Sequence, residues 1–155
     1  MIKAGIIGGA GYTGGEMIRL LINHTNVDLV LINSSSNAGN AVSKVHADLI
    51  GETDLHFSSE LSNDIDVLFL CVGHGDARKF LEANTIDEKI KIIDLSQDFR
   101  LNDKSTIANR KFIYGIPELN KQEIQSANNI ANPGCFATAI QLGLLPLANA
   151  GILGD

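Results

Sequence analysis

The sequence predicts an α/β fold in which a doubly wound, mostly parallel sheet carries helices on both faces. Short apolar runs bounded by glycine or polar residues are typical of buried parallel strands. Segments with helical spacing of apolar residues alternate with these runs. The 155 residues are enough for one compact domain with a hydrophobic core and too few for two.

The first half of the chain begins with a β-α-β unit. Residues 2–8 form an apolar run that ends in glycine and predict a strand. Residues 12–24 carry apolar side chains at helical spacing and predict a helix that packs on a sheet. Residues 27–32 predict a second strand, which the polar segment 33–37 follows. A strand, a helix and a strand within about thirty residues are typical of a β-α-β unit.

The second half repeats this alternation. Residues 65–72 and 90–95 predict strands, with a helix over 76–83 between them. Residues 112–114 and 129–131 predict short strands around a polar helix at 121–126. Residues 136–150 are apolar on most sides and predict a buried helix that Pro146 kinks or interrupts. We therefore expect one domain over 1–150 and the start of a further domain at 151–155.

Composition excludes several classes of partner. The net charge of −6 argues against nucleic-acid binding, which needs a basic surface. No apolar run approaches the roughly 18 residues that span a bilayer. The N-terminal residues lack the features of a signal peptide, so we expect a cytoplasmic protein. Two cysteines make no disulfide framework and lack metal-ligand spacing, so we expect no metal site.

A glycine-rich turn joins the first predicted strand to the first predicted helix. Gly9, Gly11 and Gly14 satisfy the pattern G-x-G-x-x-G, and Gly8, Gly11 and Gly14 form an evenly spaced variant. Such a turn lets the backbone approach a pyrophosphate, and the helix presents its positive end to it. The alternative is a purely structural turn. The candidate cofactor-binding residues of the turn are Gly8, Gly11, Tyr12, Thr13 and Gly14.

The end of the second predicted strand bears on the choice of dinucleotide. An NAD site usually has Asp or Glu there, bound to the ribose 2′-hydroxyl. Residues 33–37 contain only serine and asparagine, and no arginine stands beside them. Serine hydroxyls and backbone N–H groups accept a 2′-phosphate where no carboxylate repels it. We therefore predict NADP(H), with Ser34 and Ser35 as candidate binding residues.

The two cysteines have different surroundings. Cys71 lies within an apolar run and is interpreted as a buried small hydrophobe. Cys135 follows the turn Asn132-Pro133-Gly134 at the start of a predicted helix. Helix N–H groups and the helix dipole stabilise a thiolate there and could also hold an oxyanion. By position alone, Cys135 is equally a nucleophile or a helix-start residue.

Four ordered motifs resemble one family. They are residues 11–16 (GYTGGE), 94–100 (DLSQDFR), 114–118 (YGIPE) and 132–135 (NPGC). Together they are similar to the N-acetyl-γ-glutamyl-phosphate reductases of arginine biosynthesis, which are related to aspartate-semialdehyde dehydrogenase. The resemblance runs from Lys3 to about Gly151 and implies that Cys135 is the catalytic nucleophile.

The resemblance also implies a mechanism. The Cys135 thiolate attacks the acyl phosphate of N-acetylglutamyl 5-phosphate, and inorganic phosphate leaves. The thioester then receives a hydride from NADPH, and N-acetylglutamate 5-semialdehyde is released. Arg100 suits the phosphoryl or carboxylate group of the substrate, although a surface salt bridge with Asp98 is the alternative. Asn132 is a second candidate substrate-binding residue.

The four histidines are the remaining residues considered for the site. His74, next to Gly73 at the end of the 65–72 strand, either flanks the cofactor together with that glycine or caps the following helix. His24, His46 and His56 are interpreted as surface residues without partners. In the family, the catalytic histidine, further substrate-binding residues and most subunit contacts belong to a second domain. The resemblance therefore implies a homo-oligomer and an isolated chain that binds NADP(H) without turnover.

Alternative functions remain at this point. A related acyl phosphate, of the aminoadipate type in lysine synthesis, would use the same chemistry. Aspartate-semialdehyde dehydrogenase activity is disfavoured by the motifs at 94–100 and 114–118. A non-catalytic NADP-binding module would use Cys135 only to start a helix.

Overall fold

A six-stranded parallel sheet forms the centre of the molecule. The computed structural model describes residues 1–153. The strands are β1 (Ile2–Ile7), β2 (Val27–Asn33), β3 (Val67–Leu70), β4 (Lys91–Asp94), β5 (Thr106–Ile107), β6 (Arg110–Lys111), β7 (Ile113–Tyr114) and β8 (Asn129–Ala131). The helices are α1 (Tyr12–Ile22), α2 (Asp76–Ala83), α3 (Pro117–Ser126) and α4 (Cys135–Asn149). Strands β5 and β6 form a separate antiparallel hairpin.

The strand order of the main sheet creates a binding edge. The order is β2-β1-β3-β4-β8-β7, and each neighbouring pair is parallel. The chain therefore proceeds outward from β1 in both directions, and the order reverses between β1 and β3. In such sheets, ligands bind beyond the carboxyl ends of the strands at this reversal. The glycine-rich turn and Cys135 both follow strands at that edge.

Two cores lie on opposite faces of the sheet. Alternate residues of β1 take part in different cores, with Ile6 in one and Ile7 in the other. Ile18 of α1 packs in the first core and Ala77 of α2 in the second. Because successive side chains of a strand point to opposite faces, helices cover both faces. This arrangement confirms the predicted fold class.

Element boundaries differ from prediction mainly in the second half. The strand predicted over 65–72 is shorter, at Val67–Leu70. The polar helix begins at Pro117, four residues earlier than predicted, because proline suits the first helical turn. The β5–β6 hairpin was not predicted.

Helix α4 corrects two expectations. It continues through Pro146 to Asn149 without interruption. Gly151, at φ +68°, then ends it: its N–H donates to Ala148 and that of Ile152 to Leu147, as in a Schellman motif. No residue of α4 is buried within the part of the chain that the structure describes, and Phe136 is 77% exposed. The prediction of a buried helix is therefore wrong for residues 1–153.

The domain predicted to begin at 151–155 falls partly on residues 154 and 155, which lie outside the described residues. Among the helices formed by residues 1–153, none has the length and hydrophobicity that crossing a membrane requires.

Candidate cofactor and thiol site

The glycine-rich turn is a close-packed piece of backbone. Gly8 has φ +82°, and a β-carbon there would overlap the carbonyl oxygen of Cys71. A β-carbon at Gly14 would overlap the carbonyl oxygen of Gly8. At Gly11 the nearest atom to a β-carbon, the oxygen of Gly8, is 3.4 Å away. Gly8 and Gly14 are therefore needed for the turn itself, whereas Gly11 leaves space for a ligand.

The start of α1 is open to an anion. Gly11 is the N-cap and supplies no side chain to the first helical turn. Within residues 1–153, the N–H groups of Tyr12, Thr13 and Gly14 have no acceptor in the protein. Tyr12 is 85% exposed beside them. Uncapped N–H groups at a helix start form an anion site, so the turn fits a pyrophosphate.

The serine segment after β2 is only partly accessible to a ligand. Ser34 is buried, and its hydroxyl accepts a hydrogen bond from the Asn37 side chain at 3.4 Å. The Asn37 amide also donates to Ser36 at 3.1 Å. Ser35 is exposed. The segment presents hydroxyls without a carboxylate, and Ser35 is the more accessible of the two predicted residues.

The carboxyl ends of β3 and β4 meet through a histidine and an aspartate. His74 is exposed, and its Nδ1 accepts the Gln97 N–H at 3.2 Å. Asp98 accepts the N–H groups of Gly75 at 2.6 Å and of Arg78 at 3.0 Å. Asp98, and not His74, therefore caps α2. Gly73 is exposed next to His74.

The start of α4 places a thiol at the same edge. Cys135 is exposed and is the first residue of the helix, with Gly134 as an N-cap that supplies no side chain. Among the described residues, the N–H groups of Cys135, Phe136 and Ala137 have no acceptor in the protein. The Asp98 carboxylate caps the start of α2, but among the described residues no side chain caps α4. The N–H groups of its first turn therefore remain unpaired beside Cys135. These groups stabilise a thiolate or an oxyanion.

Arg100 fastens the turn before Cys135. Its Nε donates to the carbonyl oxygen of Asn132 at 2.9 Å, and Nη2 donates to that of Leu95 at 2.9 Å. A β-carbon at Gly134 would lie 2.9 Å from Nη1. The predicted alternative, a salt bridge with Asp98, is not formed, because the Asp98 carboxylate binds the start of α2. The third guanidinium nitrogen thus lies beside the residue that precedes the thiol.

A buried aspartate, Asp94, also contacts the turn before Cys135. Asp94 is fully buried, and its carboxylate accepts hydrogen bonds from the N–H and the hydroxyl of Ser96. Burial raises the pKa of Asp94. Its carbonyl oxygen accepts the Asn132 N–H at 2.8 Å. Exposed Asn132 is therefore held through its backbone by Asp94 and Arg100, while its side chain donates only to Pro133.

Cys71 is unsuited to chemistry at neutral pH. It is buried, and burial together with the charge of Asp94 raises the pKa of its thiol to about 12. The interpretation of Cys71 as a buried hydrophobe is confirmed.

Two cavities lie beside α2. One of about 470 Å³ lies at the carboxyl edge beside Arg100 and includes Arg78 and Lys104 in its lining. The other, of about 640 Å³, lies near the end of α2 and the β5–β6 hairpin, and Arg110 lines it. The smaller cavity is the one that adjoins the candidate thiol site, and its basic lining suits an anion.

His46 corrects the interpretation of three histidines as surface residues. His24 and His56 are exposed, but His46 is 8% exposed and its Nε2 lies 2.8 Å from the carbonyl oxygen of Gly9. A sequence signal was present: Val42, His46 and Leu49 lie at positions i, i+4 and i+7, and the two apolar residues are buried. A histidine within such a stripe lies on the buried side.

Comparisons with known proteins agree with this geometry. Residues 3–127 match the family model described as semialdehyde dehydrogenase, NAD binding domain. The N-acetyl-gamma-glutamyl-phosphate reductase of Phocaeicola vulgatus is 59% identical over 156 residues, covering 100% of this chain and 47% of the relative. The protein of the same name from Parabacteroides distasonis is 60% identical over 149 residues, covering 96% and 45%. The chain spans about half the length of these curated relatives.

Solved structures show the same fold. Aspartate semialdehyde dehydrogenase from Candida albicans, solved with NADP, has a TM-score of 0.69 at 16% identity and covers 100% of this chain and 49% of that one. Aspartate semialdehyde dehydrogenase II from Vibrio cholerae has a TM-score of 0.63 at 19% identity and covers 97% and 47%.

The fold and the open glycine-rich turn define an α/β dinucleotide-binding domain. The chain belongs to the semialdehyde dehydrogenase family, over its NAD-binding domain. The resemblance to N-acetyl-γ-glutamyl-phosphate reductases is confirmed by curated relatives of that name. A nicotinamide dinucleotide is thus the cofactor that the family implies.

Proposed function

We propose that the chain is the cofactor-binding and nucleophile-bearing half of an NADPH-dependent reductase that converts N-acetylglutamyl 5-phosphate to N-acetylglutamate 5-semialdehyde. The observation that carries the proposal is the exposed Cys135 at the uncapped start of α4, beside Arg100. The relatives that bear this enzyme's name support the choice of substrate.

The glycine-rich turn and the thiol lie within reach of one extended dinucleotide. The turn follows β1 and Cys135 follows β8, and β3 and β4 lie between them. Three steps of about 4.8 Å separate β1 from β8. With its pyrophosphate at Tyr12–Gly14, a dinucleotide that lies along this edge brings its nicotinamide toward Cys135. NADPH supplies the hydride when it is bound there.

The serine segment favours NADP(H) over NAD(H). Residues 33–37 present hydroxyl and amide groups and no carboxylate that would repel a 2′-phosphate. Ser35 is accessible for this contact, and Ser34 contributes through its network with Asn37. Titration with both cofactors tests this choice, and tighter binding of NADH would overturn it.

The thiol performs a covalent reaction. The Cys135 sulfur bonds to the acyl carbon, and the carbon–oxygen bond to phosphate breaks, so that inorganic phosphate leaves with the electron pair. The N–H groups at the start of α4 stabilise the negative charge on the attacked carbonyl oxygen. Hydride addition to the thioester carbon gives a tetrahedral oxyanion. Its collapse re-forms the carbonyl, breaks the carbon–sulfur bond and releases the aldehyde, and the Cys135 thiolate leaves with the electron pair.

Arg100 binds the phosphoryl group of the substrate. Two of its nitrogens are fixed by carbonyl oxygens of the protein, and Nη1 remains beside Gly134. Because the cation is preoriented, it loses little conformational freedom when it binds an anion. The basic side chains of the adjoining cavity of about 470 Å³ add to the attraction.

Turnover needs the half of the relatives that this chain does not span. Helix α4 exposes apolar side chains, Phe136 among them, which suits contact with a further domain. We propose that this domain supplies the acid–base histidine, the remaining substrate contacts and the contacts of a homo-oligomer in the cytoplasm. The chain of residues 1–155 should bind NADPH but show no steady-state turnover, and activity at the level of the complete enzyme would contradict this.

The proposed activity is tested by the loss of NADPH absorbance in the full-length enzyme. We expect faster turnover, at equal concentration, with N-acetylglutamyl 5-phosphate than with the aminoadipate-type acyl phosphate or aspartyl phosphate. Preference for another acyl phosphate would reassign the substrate. Binding of NADPH without turnover of any acyl phosphate would favour the non-catalytic module.

A further inference from the structure

A buried histidine contacts the glycine-rich turn from the segment that follows β2. His46 Nε2 lies 2.8 Å from the carbonyl oxygen of Gly9. A carbonyl oxygen only accepts hydrogen bonds, so Nε2 carries the hydrogen and donates. The side chain is 8% exposed, so the bond lies almost entirely away from solvent. A side chain 37 residues away thus adds a hydrogen bond to a turn that backbone hydrogen bonds already hold.

The bond fixes the orientation of one particular peptide. The Gly9 N–H already donates to the carbonyl oxygen of Asn33 at 2.9 Å, so both polar groups of Gly9 are engaged. The Gly9 carbonyl and the Ala10 N–H belong to the same planar trans peptide and point in opposite directions. When His46 binds the carbonyl, the Ala10 N–H must point away from His46. Within residues 1–153 that N–H has no acceptor.

The residues around His46 fix the position of its side chain and of the segment that carries it. A β-carbon at Gly15 would lie 2.5 Å from Cε1 and 2.7 Å from Nδ1 of His46, so only glycine admits the ring. On the same segment, Asp48 forms a paired ion contact with Arg19 of α1, at 2.5 Å and 2.7 Å. Buried Val42 and Leu49 anchor the segment on either side.

We propose that His46 is a positioning residue that orients the Gly9–Ala10 peptide so that the Ala10 N–H joins those of Tyr12–Gly14 in binding the dinucleotide pyrophosphate. The proposal rests on the proposed cofactor site and adds a residue outside the glycine-rich motif to it. Because the pyrophosphate is common to both cofactors, His46 acts equally on NADPH and NADH. It has no part in the binding of a ligand that lacks a pyrophosphate.

The test compares three variants of the full-length protein with three ligands. His46→Leu removes the donor, His46→Gln keeps an amide donor near the position of Nε2, and His56→Leu is a control at an exposed histidine. Dissociation constants are measured for NADPH, NADH and adenosine 2′-monophosphate, which carries the 2′-phosphate but neither phosphate of the pyrophosphate. Unfolding midpoints are measured in parallel.

We expect His46→Leu to raise the dissociation constants of NADPH and NADH by the same factor, about tenfold. The affinity of His46→Leu for adenosine 2′-monophosphate should stay within about twofold of the wild-type value, and His46→Gln should recover most of the lost dinucleotide affinity. Equal weakening of all three ligands, or no weakening of any, would overturn the proposal. Failure of the wild-type protein to bind NADPH would instead refute the proposed cofactor site.

A second measurement needs no variant. Long-range ¹H–¹⁵N spectra of the wild-type protein report which nitrogen of each histidine carries hydrogen. A protonated Nε2 on His46, with exchange slower than that of His56, is the expected result. An unprotonated Nε2 on His46 would contradict the proposal even if His46→Leu did not fold.

Discussion

The Arg100 guanidinium donates to the carbonyl oxygen of Asn132 at 2.9 Å and thereby ties the end of the 94–100 motif to the turn that carries Cys135. The three residues that end this motif have separate structural tasks. Asp98 caps α2, Phe99 is buried and stacks on Phe112 with ring centroids 4.1 Å apart, and Arg100 reaches the thiol's turn. The motif thus contacts the start of α2, the Phe112 ring and the turn before Cys135.

Replacement of Arg100 by lysine should impair catalysis more than folding. Lysine keeps the charge but cannot hold two carbonyl oxygens while presenting a further donor beside Gly134. We expect kcat/KM to fall roughly 30-fold, which corresponds to a loss of about 2 kcal/mol of transition-state stabilisation. Arg110→Lys is a matched control, because Arg110 also donates to carbonyl oxygens but lies at the opposite edge. It should lower the unfolding midpoint and leave kcat/KM near the wild-type value; an equal fall in both variants would contradict the role of Arg100.

The two cysteines should differ widely in reactivity. Cys135 is exposed at a helix start, whereas Cys71 is buried and its thiol pKa is raised to about 12. At pH 7.5 we expect iodoacetamide to alkylate Cys135 at least about 100 times faster. Peptide mass spectrometry over a time course measures both rates in one sample, and unfolding in urea should make them similar. Equal rates in the folded protein would argue against an activated thiol.

Alanine at two glycines should separate folding from cofactor binding. At Gly14 a β-carbon overlaps the oxygen of Gly8, so Gly14→Ala should lower the free energy of unfolding by about 2 kcal/mol and weaken NADPH binding. At Gly11 the β-carbon has room in the free protein but stands where the ligand approaches. Gly11→Ala should therefore change unfolding by less than about 0.5 kcal/mol and raise the dissociation constant of NADPH roughly tenfold.

Gly143→Ala is the control for these substitutions. Nothing lies within 4 Å of a β-carbon at Gly143 in α4, so alanine should leave cofactor binding unchanged and stabilise the helix. Titration fluorimetry and urea unfolding measure the two properties. Strong NADPH binding by Gly11→Ala would show that the cofactor does not approach this part of the turn.

The contact of Asp48 with Arg19 should make stability depend on pH in the acidic range. The hydrogen bond from Arg19 lowers the pKa of Asp48 from 3.8 to about 2. Since the folded protein holds this pKa below the unfolded value, the contribution is complete above pH 4 and is lost as the pH falls toward 2. Asp48→Asn should lower the urea midpoint at pH 7, and the difference from wild type should become much smaller by pH 2.

Asp54→Asn is the matched control for that measurement. The Asp54 side chain is exposed and makes no ion pair within residues 1–153. Its substitution should leave the urea midpoint unchanged at both pH values. A difference at Asp48 that is as large at pH 2 as at pH 7 would contradict the assignment to the carboxylate charge.

The first β-α-β unit was predictable because its signals are local. An apolar run that ends in glycine predicts β1, and an apolar run that ends in a polar segment predicts β2; the structure places their ends within one residue of prediction. The β5–β6 hairpin was not predictable, because two-residue strands are too short to show any periodicity. The exposure of α4 could not be foreseen, since its apolar composition indicates burial without indicating what covers it.

The sequence predicts where the candidate site lies but not which hydrogen bonds hold its side chains. Glycine spacing and the turn before Cys135 located both halves of the site at the sheet edge. The partners of Arg100 are backbone carbonyl oxygens, which carry no sequence signal. The contact of His46 with Gly9 depends on the missing β-carbon of Gly15, a tertiary effect between segments far apart in sequence.

Acylation of Cys135 in the absence of NADPH tests the central claim most directly. The full-length enzyme is mixed with N-acetylglutamyl 5-phosphate alone, and phosphate release and protein mass are followed. The account predicts a burst of one phosphate per active site, an N-acetylglutamyl adduct on Cys135, and neither in Cys135→Ser. An active enzyme that shows no adduct on Cys135, or a burst that survives in Cys135→Ser, would contradict it.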